Sequence, residues 1–188
     1  MRRLAIVLAL LVAGCSFFSR TKSKIYSLER VAPAVAPTAG NGLPVAINAV
    51  ELPPGFDRKE IVVRQADHRL DVRSTDQWSA SLEPAVLHTL AFDLADRLPP
   101  GMVILPGQVK PGGAMRSIDV AFVELAAWPE SRVTIDARWT LHESGRPDVA
   151  HREQFAVDIA SLDSVNVAAG MSQAVGLLAD RMAANIPH

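Results

Sequence analysis

The chain has 188 residues, 49% of them hydrophobic, with 19 Lys+Arg against 20 Asp+Glu and a single cysteine. Its length suits one globular domain with its own core, and a net charge of −1 supplies no basic field to neutralise the phosphates of a nucleic acid. One Cys excludes an internal disulfide framework and the Cys-rich zinc patterns.

The chain opens MRRLAIVLALLVAGC, with Arg2 and Arg3 ahead of an apolar run from Leu4 to Ala13. That is the pattern of a secretory signal peptide. The run falls short of the roughly 20 apolar residues that cross a hydrocarbon core, so residues 1–14 are expected to be an export signal. Cys15 follows Val12, Ala13 and Gly14 in an arrangement that resembles the bacterial lipobox, which makes its thiol the expected site of lipid attachment. Each buried CH₂ contributes about 0.8 kcal/mol, so two or three acyl chains hold a soluble domain at a membrane where one is marginal. Ser16 is not the Asp that commonly marks inner-membrane retention, so the resemblance to sorted lipoproteins favours the outer membrane.

Residues 15–43 read as the lipidated Cys followed by a flexible Pro/Ala tether, with Pro33 and Pro37 favouring extended, polyproline-like geometry. Inside it, Lys24 to Leu28 alternates apolar with polar and reads equally well as an edge strand.

The domain is expected over 44–188. Residues 44–51 alternate as a strand, stopped by Leu52-Pro-Pro-Gly55 because Pro cannot donate to a ladder. Short β segments at 61–64 and 69–73 form a hairpin around a four-residue turn. From 78 to 98 the period changes: Leu82, Val86, Leu90, Leu94 and Leu98 recur every four residues, which predicts an amphipathic helix ended by Pro99-Pro-Gly101. Pro84 is tolerable only near its first turn. A short strand at 102–105 and a Pro/Gly loop at 106–113 lead into a meander of strands at 116–127, 132–142 and 150–159. In the middle strand Val133, Ile135, Ala137, Trp139 and Leu141 share one face, and Thr134, Asp136, Arg138, Thr140 and His142 the other. The tail returns to helical spacing through Val167, Met171, Val175, Leu178, Met182 and Ile186. This order predicts an α/β fold in which a mixed β-sheet is covered by two long amphipathic helices.

Signs of catalysis are sparse. His68, His88, His142, His151 and His188 show no metal-ligand spacing. His142 and His151 approach across the Ser144-Gly145 turn at most as exposed cross-strand histidines. The chain has no GxSxG elbow, glycine-rich phosphate loop or GxGxxG turn. Asp119, Glu124, Asp136 and Glu143 are scattered along strands, and pairing them for acid/base work presupposes the fold. The expectation is a binding protein rather than an enzyme, with no catalytic or metal-ligating residue and no cofactor beyond the covalent lipid on Cys15. A rigid loop between strands often carries recognition, so Leu52, Pro53, Phe56, Asp57, Arg58 and Arg64 are the candidate partner-binding residues. The alternative is that Phe56 tucks onto the helix while Arg58 and Arg64 pair with nearby acids. Trp139 reads as core; Trp128, beside Pro129, reads either way.

Several of these segments, taken together and in order, resemble the ABC-transport auxiliary lipoproteins, the PqiC/YmbA family that accompanies MCE-type lipid transport systems. They are the lipobox ending at Cys15, Ile25-Tyr-Ser-Leu28, Leu52-Pro53 with Phe56-Asp-Arg58, Ile61-Val-Val-Arg64, Trp78 leading into Leu82-Glu83, Ala137-Arg-Trp-Thr-Leu141 and Leu177-Leu-Ala179. The resemblance implies a three-layer α/β/α fold without catalytic residues. It also implies a lipoprotein on the periplasmic face of the outer membrane that docks an MCE-domain protein or another subunit of an ABC transport system, with homo-oligomers possible. Two other readings stay open: an outer-membrane assembly lipoprotein that binds a β-barrel protein, and a periplasmic lipid carrier, which requires a concave apolar cavity between sheet and helices.

Overall fold

The computed structural model describes residues 22–37 and 39–188; the export signal and Cys15 lie outside the described residues. Eight strands form one mixed sheet: β1 Lys24–Tyr26, β2 Val45–Glu51, β3 Glu60–Arg64, β4 Leu70–Trp78, β5 Val103–Ile104, β6 Arg116–Trp128, β7 Arg132–Glu143 and β8 Val149–Asp158. The long β6 is the spine. Along one edge it pairs antiparallel with β7, which carries β8 as the next antiparallel strand. Along the other edge β2 runs parallel to Arg116–Ala121, and β3 continues parallel beside Ala127. β2 and β3 are thus two halves of one track, broken where Pro53 and Pro54 have no N–H to give the ladder. β4 lies antiparallel to β3, β1 lies parallel to β4, and β5 flanks β2.

Helix α1 spans Leu82–Ala95 and α2 Ser164–Ala183. Trp78, expected to open the first helix, is instead the last residue of β4, and the later start puts Pro84 in the first turn, where it breaks no hydrogen bond. Ser81 makes no side-chain cap; Asp57 supplies one, its Oδ1 accepting the Glu83 N–H at 3.1 Å. Asp163 caps α2 by accepting the Asn166 N–H at 2.9 Å.

The expected α/β class, with a mixed sheet and two long helices, is what the structure shows. The inward stripe of β7 meets Ile118, Val120 and Phe122 of β6, Leu82 to Leu94 of α1 and Val167 to Met182 of α2 in one continuous core. Both helices lie side by side on this one face. Among the described residues no helix covers the opposite face, where Arg138 and Arg152 are exposed.

A further layer comes from the segment expected to be a free tether. Residues 29–37 lie as a strap over the seam between α1 and α2, on the side away from the sheet. The Glu29 N–H donates to Ser172 Oγ at 3.0 Å, the Val31 N–H donates to Asp93 Oδ1 at 2.9 Å, and Arg97 Nη1 donates to the Val31 carbonyl at 3.0 Å. Arg30 pairs with Asp96 and lies over the Phe92 ring. The strap fits because α2 has no side chain at Gly176, where a Cβ would lie 2.6 Å from that of Val31. Of the two readings of Lys24–Leu28, the edge strand holds for Lys24–Tyr26. The folded unit therefore takes in β1 and the strap, ahead of residue 44, because backbone hydrogen bonds seat a segment whose composition alone reads as a spacer.

Candidate functional site

The register of the sheet decides what gathers on its uncovered face. Val62 pairs with Val72 and Arg64 with Leu70, so all four side chains point the same way. Loop 52–59 returns over them. Gly55, at φ +87°, takes the left-handed conformation open to glycine, and the Phe56 N–H donates to the Pro53 carbonyl at 3.1 Å. This turn drives the Phe56 ring onto Val62, Ala126 and Trp128, where it is 2% exposed.

Arg64 lies across this cluster. Its guanidinium carbon is 5.1 Å from the centre of the Phe56 ring and 5.4 Å from that of Trp128, a double cation–π arrangement. Its Nε is 3.7 Å from Glu124 Oε1, close enough for charge attraction but too long for a hydrogen bond, and the same oxygen accepts the Trp128 indole N–H. Arg64 Nε is accordingly buried with no hydrogen-bond partner. Leu70 and Val72, 36% and 38% exposed, flank the cluster and give the cation an apolar border.

The six residues expected from sequence thus separate. Phe56 and Arg64 meet at this site. Phe56 does not tuck onto the helix, because its turn sends it to the opposite face of the sheet. Asp57 points the other way to cap α1, Arg58 Nε donates to Glu60 Oε2 at 3.1 Å, Leu52 packs against the main core, and Pro53 is buried. Glu124, Trp128, Leu70 and Val72 complete the site; in the sequence Trp128 reads as either core or surface and Glu124 only as one of the scattered carboxylates, while nothing singles out Leu70 and Val72. The one local signal is the position of Trp128 beside Pro129, one residue past the strand expected at 116–127.

The face continues as a polar ladder over β6, β7 and β8. Asp136 accepts from Arg152 Nη2 at 2.6 Å and from Gln154 at 2.9 Å, and the guanidinium holds its carboxyl below the usual range. His142 Nδ1 lies 2.9 Å from Asp148 and Nε2 3.1 Å from Asp119; the Asp148 contact is the main cause that raises its pKa. His151 does not approach His142. It lies across the ladder from Trp139 and stacks on that ring at 4.0 Å on the helix-covered face. Among the described residues no group of three or more His, Cys, Asp or Glu side chains is placed to hold a metal ion, and no helix is long and apolar enough to cross a membrane. What the arrangement offers is a guanidinium fixed over a buried Phe56 ring and a half-buried Trp128, with an apolar border and ordered charges beside it. Those are the means of protein recognition.

A family model described as "ABC-type transport auxiliary lipoprotein component" matches residues 26–183, a span that includes the strap and both helices. Six solved chains match the structure. One, described as an uncharacterized protein, is 16% identical with a TM-score of 0.72 over 88% of this chain and 99% of its own. Another, a Xanthomonas campestris protein of the family DUF330, is 16% identical with a TM-score of 0.69 over 86% of this chain and 93% of its own. At that identity they share the fold. No curated protein matches the sequence.

Proposed function

We propose that this chain, which belongs to the ABC-type transport auxiliary lipoprotein components, is a lipid-anchored adaptor whose uncovered sheet face docks a periplasmic subunit of an ABC transport system. Cys15 fixes it to the periplasmic face of the outer membrane, and the partner is an MCE-domain protein, so that the adaptor holds a lipid-transporting assembly at its destination. The family is a transport auxiliary component and not an enzyme family. The observation that carries the docking reading is Arg64 lying over the Phe56 and Trp128 rings on a face that no helix of the described residues covers. Arg and aromatic side chains of this kind dominate binding energy at protein interfaces. Anchoring raises the effective concentration of both partners, so a modest interface suffices. The sheet-to-helix layer weighs against a lipid carrier: Leu82, Leu90, Val133 and Trp139 are each 2% exposed or less and fill the space an acyl chain would need.

The test is crosslinking in whole cells with the tagged full-length chain, then membrane fractionation and mass spectrometry. An MCE-domain protein captured in the outer-membrane fraction, and lost with Arg64→Glu, is the expected result. Capture of a β-barrel protein alone, or of lipid without protein, overturns it. Cys15→Ala is expected to release the protein from the membrane; undiminished palmitate incorporation overturns the anchor.

A further inference from the structure

We infer that the outer face of α2, together with β1, seats directly on the bilayer that carries the lipid anchor. The inference rests on lipid attachment at Cys15 as proposed above.

The pairing of β1 with β4 sets the reach. With residues 15–43 free, the domain would range about 100 Å from its anchor at full extension. The described chain begins at Lys22, seven residues past Cys15, and seven extended residues span at most about 25 Å. The membrane is therefore never far from β1.

The surface beside β1 lacks what a water-facing surface normally carries. From Ser164 through Ala179 the helix has no charged residue, although a helix with one face in water ordinarily places charges there. Its outward positions are Val165, Ala169, Gln173 and Leu177, with Val165 64% and Leu177 38% exposed. Ile25 of β1, 60% exposed, lines the same groove as Val165 and Ala169. Val165, Ala169 and Leu177 form an apolar stripe too short to cross a membrane and suited to resting in the headgroup boundary, while the Ile25 side chain, in register with Gln77, turns to the other face of β1. Lys24, Glu29 and Asp163 border the two grooves beside it with mixed sign, so the attraction is apolar and not coulombic. The geometry agrees with the docking reading, because the Arg64 face lies on the other side of the sheet and points away from the bilayer.

The test uses full-length lipidated protein in vesicles of phosphatidylethanolamine and phosphatidylglycerol, and in neutral phosphatidylcholine vesicles. Val165→Cys carries an NBD fluorophore, and Arg138→Cys on the uncovered sheet face is the comparison. Flotation reports the anchor, and quenching by spin-labelled lipid reports seating. Expected are flotation of both, a roughly twofold rise in NBD emission with lipid quenching at position 165 only, the same in both vesicle types, and loss of that rise with Leu177→Asp. Flotation with a water-exposed label at 165 overturns the seating alone, as does a label shielded from aqueous iodide yet untouched by lipid quencher, which would mark a second copy of the chain. Failure to float overturns the anchor and the seating together.

Discussion

The backbone N–H of Val31 donates to the carboxylate of Asp93 at 2.9 Å, joining a segment that composition marks as a spacer to a fully buried acid in the last turn of α1. Arg97, 3.7 Å from the same carboxylate and 2.6 Å from Asp180, donates to the Val31 carbonyl as well, so one residue of the strap is held through both of its backbone groups. This latch makes residues 29–37 part of the domain.

Asp93→Ala is expected to cost about 1–3 kcal/mol, because the Val31 N–H is left buried without an acceptor, and to open the strap to proteases. A urea melt gives the first and mass mapping of early tryptic cuts at Lys24 or Arg30 the second. Burial is the main cause that raises the Asp93 pKa. Between the ordinary carboxylate value and the raised one the native state binds more protons, so this group lowers stability as pH rises. Asp93→Asn keeps an acceptor for Val31 and is expected to remove that decline when melts of the two proteins are compared across acidic pH.

Gly176→Ala separates local propensity from packing. An exposed helical Gly gains about 1 kcal/mol on becoming Ala. Here the new Cβ meets Val31 Cβ at 2.6 Å, and overpacking costs about 1–3 kcal/mol. The expected outcome is a net loss, recovered in part by adding Val31→Gly. A Gly176→Ala protein that melts higher than the parent would mean the strap does not sit on α2.

At the uncovered face, Arg64→Ala removes two cation–π contacts worth about 0.5–1 kcal/mol each at a half-exposed site. The melting temperature is expected to move by only a few degrees while partner capture drops sharply. Phe56→Ala is a poorer probe. It empties a site that is 2% exposed and is expected to cost about 3–5 kcal/mol, so reduced capture would be confounded with loosening of the loop. Capture yields measured beside melts of both variants decide whether Arg64 contributes to binding.

His142 clasps β6, β7 and the β7–β8 turn by lying between Asp119 and Asp148. Hydrogen bonding to Asp148 is the main cause that raises its pKa, so the folded state favours the imidazolium. The stabilisation is fully present below the unfolded value of about 6.5 and is lost as pH rises through the raised folded value. The stability gap between the parent and His142→Ala is expected to be widest in mild acid and to close in alkali, which melts in a pH series test. A gap that widens with pH would show that the neutral ring carries the contact.

Leu90 is 0% exposed at the centre of the core. Leu90→Asp places an unpaired charge there and is expected to cost more than about 4 kcal/mol. Loss of a cooperative thermal transition is the readout.

The two helices, the meander and the inward stripe of β7 were legible in the sequence, because burial against one partner layer imprints a period of 3.6 or 2 on the side chains and prolines mark where each element stops. The sequence also marked Phe56 and Arg64. That both helices share a face, that β2 and β3 form one interrupted track, and that Trp128 meets Arg64 emerged with the folded chain, since these depend on register between strands far apart in the sequence. The strap was the least legible element. Backbone hydrogen bonds to Ser172 and Asp93 and a missing side chain at Gly176 seat it, and such contacts impose no periodic pattern on the residues that make them.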